Sequence, residues 1–339
     1  MKIFLLIPLM ILMTACGVTS SDGVVSRGPN TSGFMGLKTN DAVQIEGASS
    51  MAGMQNVVIG SFKVGFADSS KQKKKAKGGV LGSGMGGNAT GNVKLEGISQ
   101  QVKIDVAEAA YNDFLSKLSA NGFNVVNRST LTSSAQYQNA SKTDFPYVDD
   151  NSGILSAYGQ TVYFQPPSLG AQGIMLMNDV PGSNGFAGLG SADSKMADFA
   201  SKNNIAVISA TYLIDFAAAG GHESATSASV KVGQNLAVTQ GTVKFVKSGT
   251  SSFTNGTPTV SLGQPVESGK EFGTVIDDSS TAGIAVQEAA NVVGVLLGGG
   301  TNRSRDYIIQ ADPVRYQAQT IEVLSRANSF MLSKAAASR

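Results

Sequence analysis

The chain has 339 residues, a formal net charge of +2, one cysteine, one histidine and no tryptophan. A balance this near neutral offers no global field to draw nucleic acid. One thiol and one imidazole exclude an internal disulfide and a multi-histidine metal site.

The N-terminus reads MKIFLLIPLMILMTAC. Lys2 supplies a short positive region, Ile3 to Met13 an apolar run, and Thr14 and Ala15 small side chains before Cys16. The run is shorter than the roughly 20 residues a spanning helix needs, and fits a secretory signal over residues 1–15. The only cysteine falls where a lipoprotein signal peptidase requires one, so Cys16 is the expected lipidation residue, with Met13 a departure from the usual Leu. Removing Lys2 lowers the net charge from +2 to +1. The mature chain then lacks a free thiol, and several acyl chains on Cys16 hold it at a membrane. Gly17, which is not Asp, implies passage to the outer membrane by the sorting rule of enterobacterial lipoproteins, carried over by analogy.

Residues 16–53 are rich in Ser, Gly, Thr and Asn and read as a flexible tether. Order is expected from Asn56 to Val64, a β-branched run suited to a buried strand. Residues 68–97 carry Lys71, Lys73, Lys74, Lys75 and Lys77 and then repeated glycine. The stretch lacks the Gly-Lys-Ser/Thr of a P-loop, and Gly82-Ser83-Gly84 does not open an apolar helix. It reads as a solvated insertion, with contact to anionic lipid heads or a partner as the alternative.

Ile98, Val102, Val106, Ala109, Ala110, Phe114 and Leu118 recur at helical spacing, and Gly122 stands where a C-cap belongs. Phe123 to Val126 reads as a strand. From 132 to 195 the pattern is irregular, with short strands expected at 160–165 and 174–177. Lys195 to Lys202 reads as a short helix, Ile205 to Phe216 as a strand and Leu236 to Val246 as its partner. Residues 248–280 are polar and turn-rich. Thr281 to Leu297 reads as an apolar, buried helix, and Pro313 opens a terminal helix over 313–339.

Acylated Cys16, the early strand, the helix around Val106-Ala107-Glu108-Ala109-Ala110-Tyr111, Asn127-Arg128-Ser129, the Asn204-Ile205-Ala206-Val207 strand and its partner, and the two last helices form a recognisable order. It resembles the curli-secretion (CsgG-like) outer-membrane lipoprotein family. The resemblance rests on segments 56–66, 102–131, 203–216, 235–248 and 281–297. It implies an α/β (α+β) fold, a mixed sheet packed by helices and anticodon-binding-domain-like, over 54–312, followed by the C-terminal helix. It also implies a homo-oligomeric ring working with other cell-envelope or secretion proteins. Family members insert two hairpins per subunit into the membrane. The corresponding connections here, 217–234 and 249–280, carry few aromatic girdle residues, which leaves their membrane role open.

Catalytic equipment is sparse. His222, beside Glu223 after two glycines, reads as a loop histidine, and no serine sits in a Gly-x-Ser-x-Gly elbow. Asp149-Asp150 and Asp277-Asp278 lie among turn formers, where Asp caps backbone N–H groups. The expectation is a non-enzymatic lipoprotein in a secretion or surface-assembly complex, without cofactor or metal. A monomeric periplasmic regulator is the alternative, and a hydrolase with an unrecognised serine site is a third.

Overall fold

The computed structural model describes residues 17–27, 41–76, 87–149, 159–180, 191–222, 228–249, 256–296 and 302–339. Signal segment 1–15, Cys16, Gly82-Ser83-Gly84, Asp150 and Glu223 lie outside the described residues.

In chain order the elements are β1 (Gly17–Val24), β2 (Val43–Glu46), β3 (Asn56–Ala67), β4 (Ser69–Lys75), β5 (Asn88–Glu96), α1 (Gln100–Ala120) and β6 (Asn124–Val125). There follow α2 (Ser129–Thr132), α3 (Ala135–Gln138), β7 (Thr143–Asp144), β8 (Tyr147–Asp149), β9 (Thr161–Phe164), β10 (Gln172–Gly173) and α4 (Ser191–Asn203). The last third holds β11 (Ala206–Gly220), β12 (Ser229–Val246), β13 (Thr259–Leu262), β14 (Val266–Glu267), β15 (Gly273–Asp277), α5 (Thr281–Leu296), β16 (Asn302–Ala311) and α6 (Pro313–Ala336). The fold is mixed α/β, with mixed sheets packed by helices and a C-terminal helix.

The main sheet runs β2-β13-β12-β11-β3-β9-β8. At its centre β11 runs parallel to β3 on one side and forms a long antiparallel hairpin with β12 on the other. Both faces of β3 and β11 are covered, which explains their nearly continuous apolar sequence. On one face Phe62 meets Phe114 and Tyr111 of α1 edge-on at 5.4 and 5.5 Å, and α6 packs beside α1. On the other, Val58, Val207 and Val246 pack with Met196 and Phe199 of α4 and with Ile174 and Leu176.

Local chemistry sets the helix ends. Asp312 caps α6 by accepting the Arg315 N–H at 2.9 Å, with Pro313 at the first helical position. Gly122 ends α1 at φ +80°, where a Cβ would be strained.

A second sheet, β15-β16-β5-β4, lies over the outer part of the β11–β12 hairpin. Beyond β15, α5 follows the free edge of β16: Gln287 and Asn291 accept the backbone N–H groups of Ser304 and Asn302 at 3.0 and 2.7 Å.

Several sequence expectations are corrected. Within the expected tether 16–53, Gly17–Val24 and Val43–Glu46 are held in the sheet: β1 pairs in parallel with β12, and β2 pairs with β13. Much of insertion 68–97 is the β4–β5 hairpin, whose lysines alternate outward on an edge strand. Ile174 to Met177 is not a strand; the pairing falls at β10. The turn-rich 248–280 contains β13, β14 and β15. The described parts of 217–234 are the outer hairpin, flanked by β1, and those of 249–280 pair within the two sheets. No described helix is long and apolar enough to cross a membrane.

Candidate functional site

Cys16 lies outside the described residues, and the chain after it is fixed at once. Gly17 opens β1, and its N–H donates to the Ala228 carbonyl at 3.0 Å. Gly17, Val18, Thr19 and Ser20 stand opposite Ser229, Val230, Lys231 and Val232. His222 and Ser229 exchange backbone hydrogen bonds at 3.2 and 2.8 Å at the outer end of the hairpin. The residue expected to carry lipid therefore joins the body beside the tip of its longest hairpin.

The inner end of β1 is held by a polar junction. The β11–β12 register shifts between Asp215 and Ala217, and the Asp215 carboxylate accepts the freed N–H groups of Phe216 and Ala217 at 2.8 and 3.3 Å. Its other oxygen receives Arg27 at 3.0 Å, with side chains 11% and 3% exposed. Arg27 also donates to the carbonyls of Ala217 and Asn235 at 2.7 and 2.8 Å. One planar guanidinium thus spans both strands, as Arg geometry permits and Lys geometry does not. The Asn235 carboxamide donates to Glu267 at 2.9 Å, and Glu267 accepts the Arg27 backbone N–H at 3.0 Å. Gln234 accepts the N–H groups of Phe272 and Gly273, both at 2.8 Å, which ties β12 to the second sheet.

A second polar cluster lies under residues 174–180. Lys63 of β3, fully buried, donates to Asp179 at 2.7 Å, to Ser209 at 3.2 Å and to Ser61. Lys244 of β12 donates to the other Asp179 oxygen at 2.9 Å and to the Met177 carbonyl. Burial pushes the Lys63 ammonium down, against the attraction of Asp179. Burial would raise the Asp179 carboxyl, but Lys244, Lys63 and the Leu176 N–H together hold it below the ordinary range. Two lysines face one carboxylate, so the surplus cation falls on Lys63. A buried amine whose pKa is lowered, beside two hydroxyls, has the composition of a Ser–Lys catalytic pair. Ser61, Lys63, Ser209 and Asp179 are each no more than 2% exposed, which denies a substrate access. The cluster works as a latch that pins residues 174–180 to the sheet.

The remaining sequence candidates do not converge. His222 is exposed in the hairpin turn. Asp277 accepts the Ser279 N–H at 2.9 Å, an Asx turn, while Asp149 is buried in β8. Among the described residues no three His, Cys, Asp or Glu side chains gather as metal ligands. Sequence reasoning missed Arg27, Asp215, Lys63 and Asp179. One signal was available for Lys63, a charge within the apolar run Asn56–Ala67.

The fold and the junction define a mixed α/β protein whose N-terminal strand is bolted to its central hairpin. Comparison with protein-family models, curated proteins and solved structures finds no match.

Proposed function

We propose that the protein is a non-enzymatic, lipid-anchored outer-membrane component of a secretion or surface-structure assembly complex. It works as a homo-oligomer of CsgG-like type, with its folded domain facing the periplasm. The observation that carries this reading is the parallel pairing of β1 with β12 from Gly17 onward. Acyl chains on Cys16 then have almost no slack between membrane and body. A mount this stiff gives every copy the same orientation on the bilayer, which favours closure into a ring.

Electron microscopy of detergent-extracted protein is the test. Closed rings support the reading. A strictly monomeric particle that binds an envelope protein would replace it with the regulator alternative.

A further inference from the structure

The outer end of the hairpin is also where the second sheet begins. Lys75, Asn88 and Asn302 are aligned across β4, β5 and β16. The sheets are oriented by two contacts. A Cβ on Gly91, three residues into β5, would meet the Val232 side chain, three residues into β12, at 2.3 Å. Gln234, further from the tip, bonds Gly273, which pairs with Ala311 at the opposite end of the second sheet. The starts of β5 and β16, the close of β4, the β11–β12 turn and Gly17 therefore share one end of the molecule.

Among the described residues, the strand ends that meet there carry an excess of positive charge. Residues 17–20, 71–76, 87–91, 219–222, 228–233 and 302–305 contain Lys or Arg seven times and Asp or Glu never. Glu288 of α5 reaches Arg303 at 3.1 Å and offsets one of them. Lys73, Lys75 and Lys231 are exposed. Each lies no more than two residues from the end, about 7 Å by strand rise. That is within the roughly 8 Å over which a charge is felt at physiological salt.

We infer that this basic end docks on the anionic headgroups of the bilayer that holds Cys16, so that the protein stands end-on with β11 and β12 rising from the membrane. The inference rests on the acylated-anchor reading of the proposed function. Acyl chains bring the bilayer to Gly17, and the charge makes the adjoining surface complementary to anionic lipid. An exposed lysine at such a surface multiplies partition about fivefold, so three together favour the docked pose by about 100-fold.

The test uses the acylated full chain in phosphatidylcholine vesicles with and without phosphatidylglycerol. Cys16 is the only native cysteine, so with its thiol acylated an introduced cysteine takes a spin label alone. Labels at Asn88→Cys and Asn302→Cys report the basic end. A label at Ser248→Cys, beyond the far end of β12 and about 55 Å away by strand rise, reports the opposite one. Lipid-bound nickel should relax the first two strongly and the third weakly in anionic vesicles. Changing Lys73, Lys75 and Lys231 together to Gln, or adding high salt, should reduce that contrast to the level seen without phosphatidylglycerol. Flotation with both vesicle types reads the anchor separately. A chain that floats with equal relaxation at the two ends overturns end-on docking alone. A chain that floats with neither vesicle overturns the anchored reading as well.

Discussion

Lys63 and Asp179 stand 116 residues apart in sequence and meet at 2.7 Å, with side chains 0% and 2% exposed. The pair joins the central strand to a connecting segment that has little regular structure of its own. Residues 174–180 keep their place because Asp179 accepts Lys63 and Ser209 on one oxygen and Lys244 on the other, and receives the Leu176 N–H as well. Apolar contacts from Ile174 and Leu176 complete the seal.

Removing the anion and removing the surplus cation should act in opposite directions. Asp179→Ala leaves two buried lysines without a counter-charge and should destabilise the protein by about 3–5 kcal/mol. Lys63→Met keeps the Asp179–Lys244 pair and removes the more deeply buried amine, so it should be neutral or stabilising by about 1–4 kcal/mol. Urea denaturation of both variants checks this. Equal destabilisation would mean that Lys63 is held charged and needed.

The same cluster fixes a pH profile. Asp179 titrates lower in the folded protein than in the unfolded chain, so its contribution is complete above the ordinary value of 3.8 and lost as the pH falls below it. Lys63 also titrates lower when folded. Between its folded value and 10.5 the unfolded chain holds the extra proton, so stability rises with pH across that window. The slope of each limb is at most about 1.4 kcal/mol per pH unit. Denaturation midpoints measured across pH should show the acid limb flattened in Asp179→Asn and the alkaline rise flattened in Lys63→Met.

Elements with a repeating apolar pattern were legible in the sequence. Helix α1 shows Val106, Ala110, Phe114 and Leu118 on its buried face, and β3 and β11 read as strands because burial on both faces selects apolar residues throughout. Strand β1 was not legible. Its sequence, GVTSSDGV, earns its place through backbone pairing and the Arg27 clamp, neither of which leaves a periodic trace. Strand β4, SSKQKKK, looks like a solvated charge run because Lys71, Lys73 and Lys75 all face outward. Lysine on an edge strand also discourages pairing with another chain. The Arg27 and Asp179 sites were hidden for a different reason: Arg27 meets Asp215 across 188 residues, and Asp179 meets Lys63 across 116 and Lys244 across 65, separations that no local pattern records.

The contact between the two sheets makes a separate prediction. Gly91 faces Val232 so closely that an added methyl would stand 2.3 Å from a valine carbon. Gly91→Ala should cost about 1–3 kcal/mol through overpacking. Val232→Ala removes the obstructing carbons, so the double variant should be more stable than the sum of the two single losses implies. Thermal or urea unfolding of the four proteins gives the coupling directly. Simple additivity would mean that the strands shift apart without strain.

Arg27 should be the residue that keeps β1 in place. In Arg27→Ala the Asp215 carboxylate stays buried against its two backbone donors but loses its cation, while the Ala217 and Asn235 carbonyls lose their donors. Undocking the segment relieves the second loss by admitting water, so the effect should be local opening and not global unfolding. With about 3 kcal/mol withdrawn, the low end for a broken buried pair, amides of β1 should exchange with solvent roughly 100-fold faster, while those of β3 remain protected. Arg27→Lys should not restore protection, because a single ammonium lacks the fork that spans Asp215, Ala217 and Asn235 together. Hydrogen exchange followed by mass spectrometry on the peptide covering 17–27 decides the matter. Unchanged exchange there would show that the parallel pairing with β12 holds β1 without the clamp.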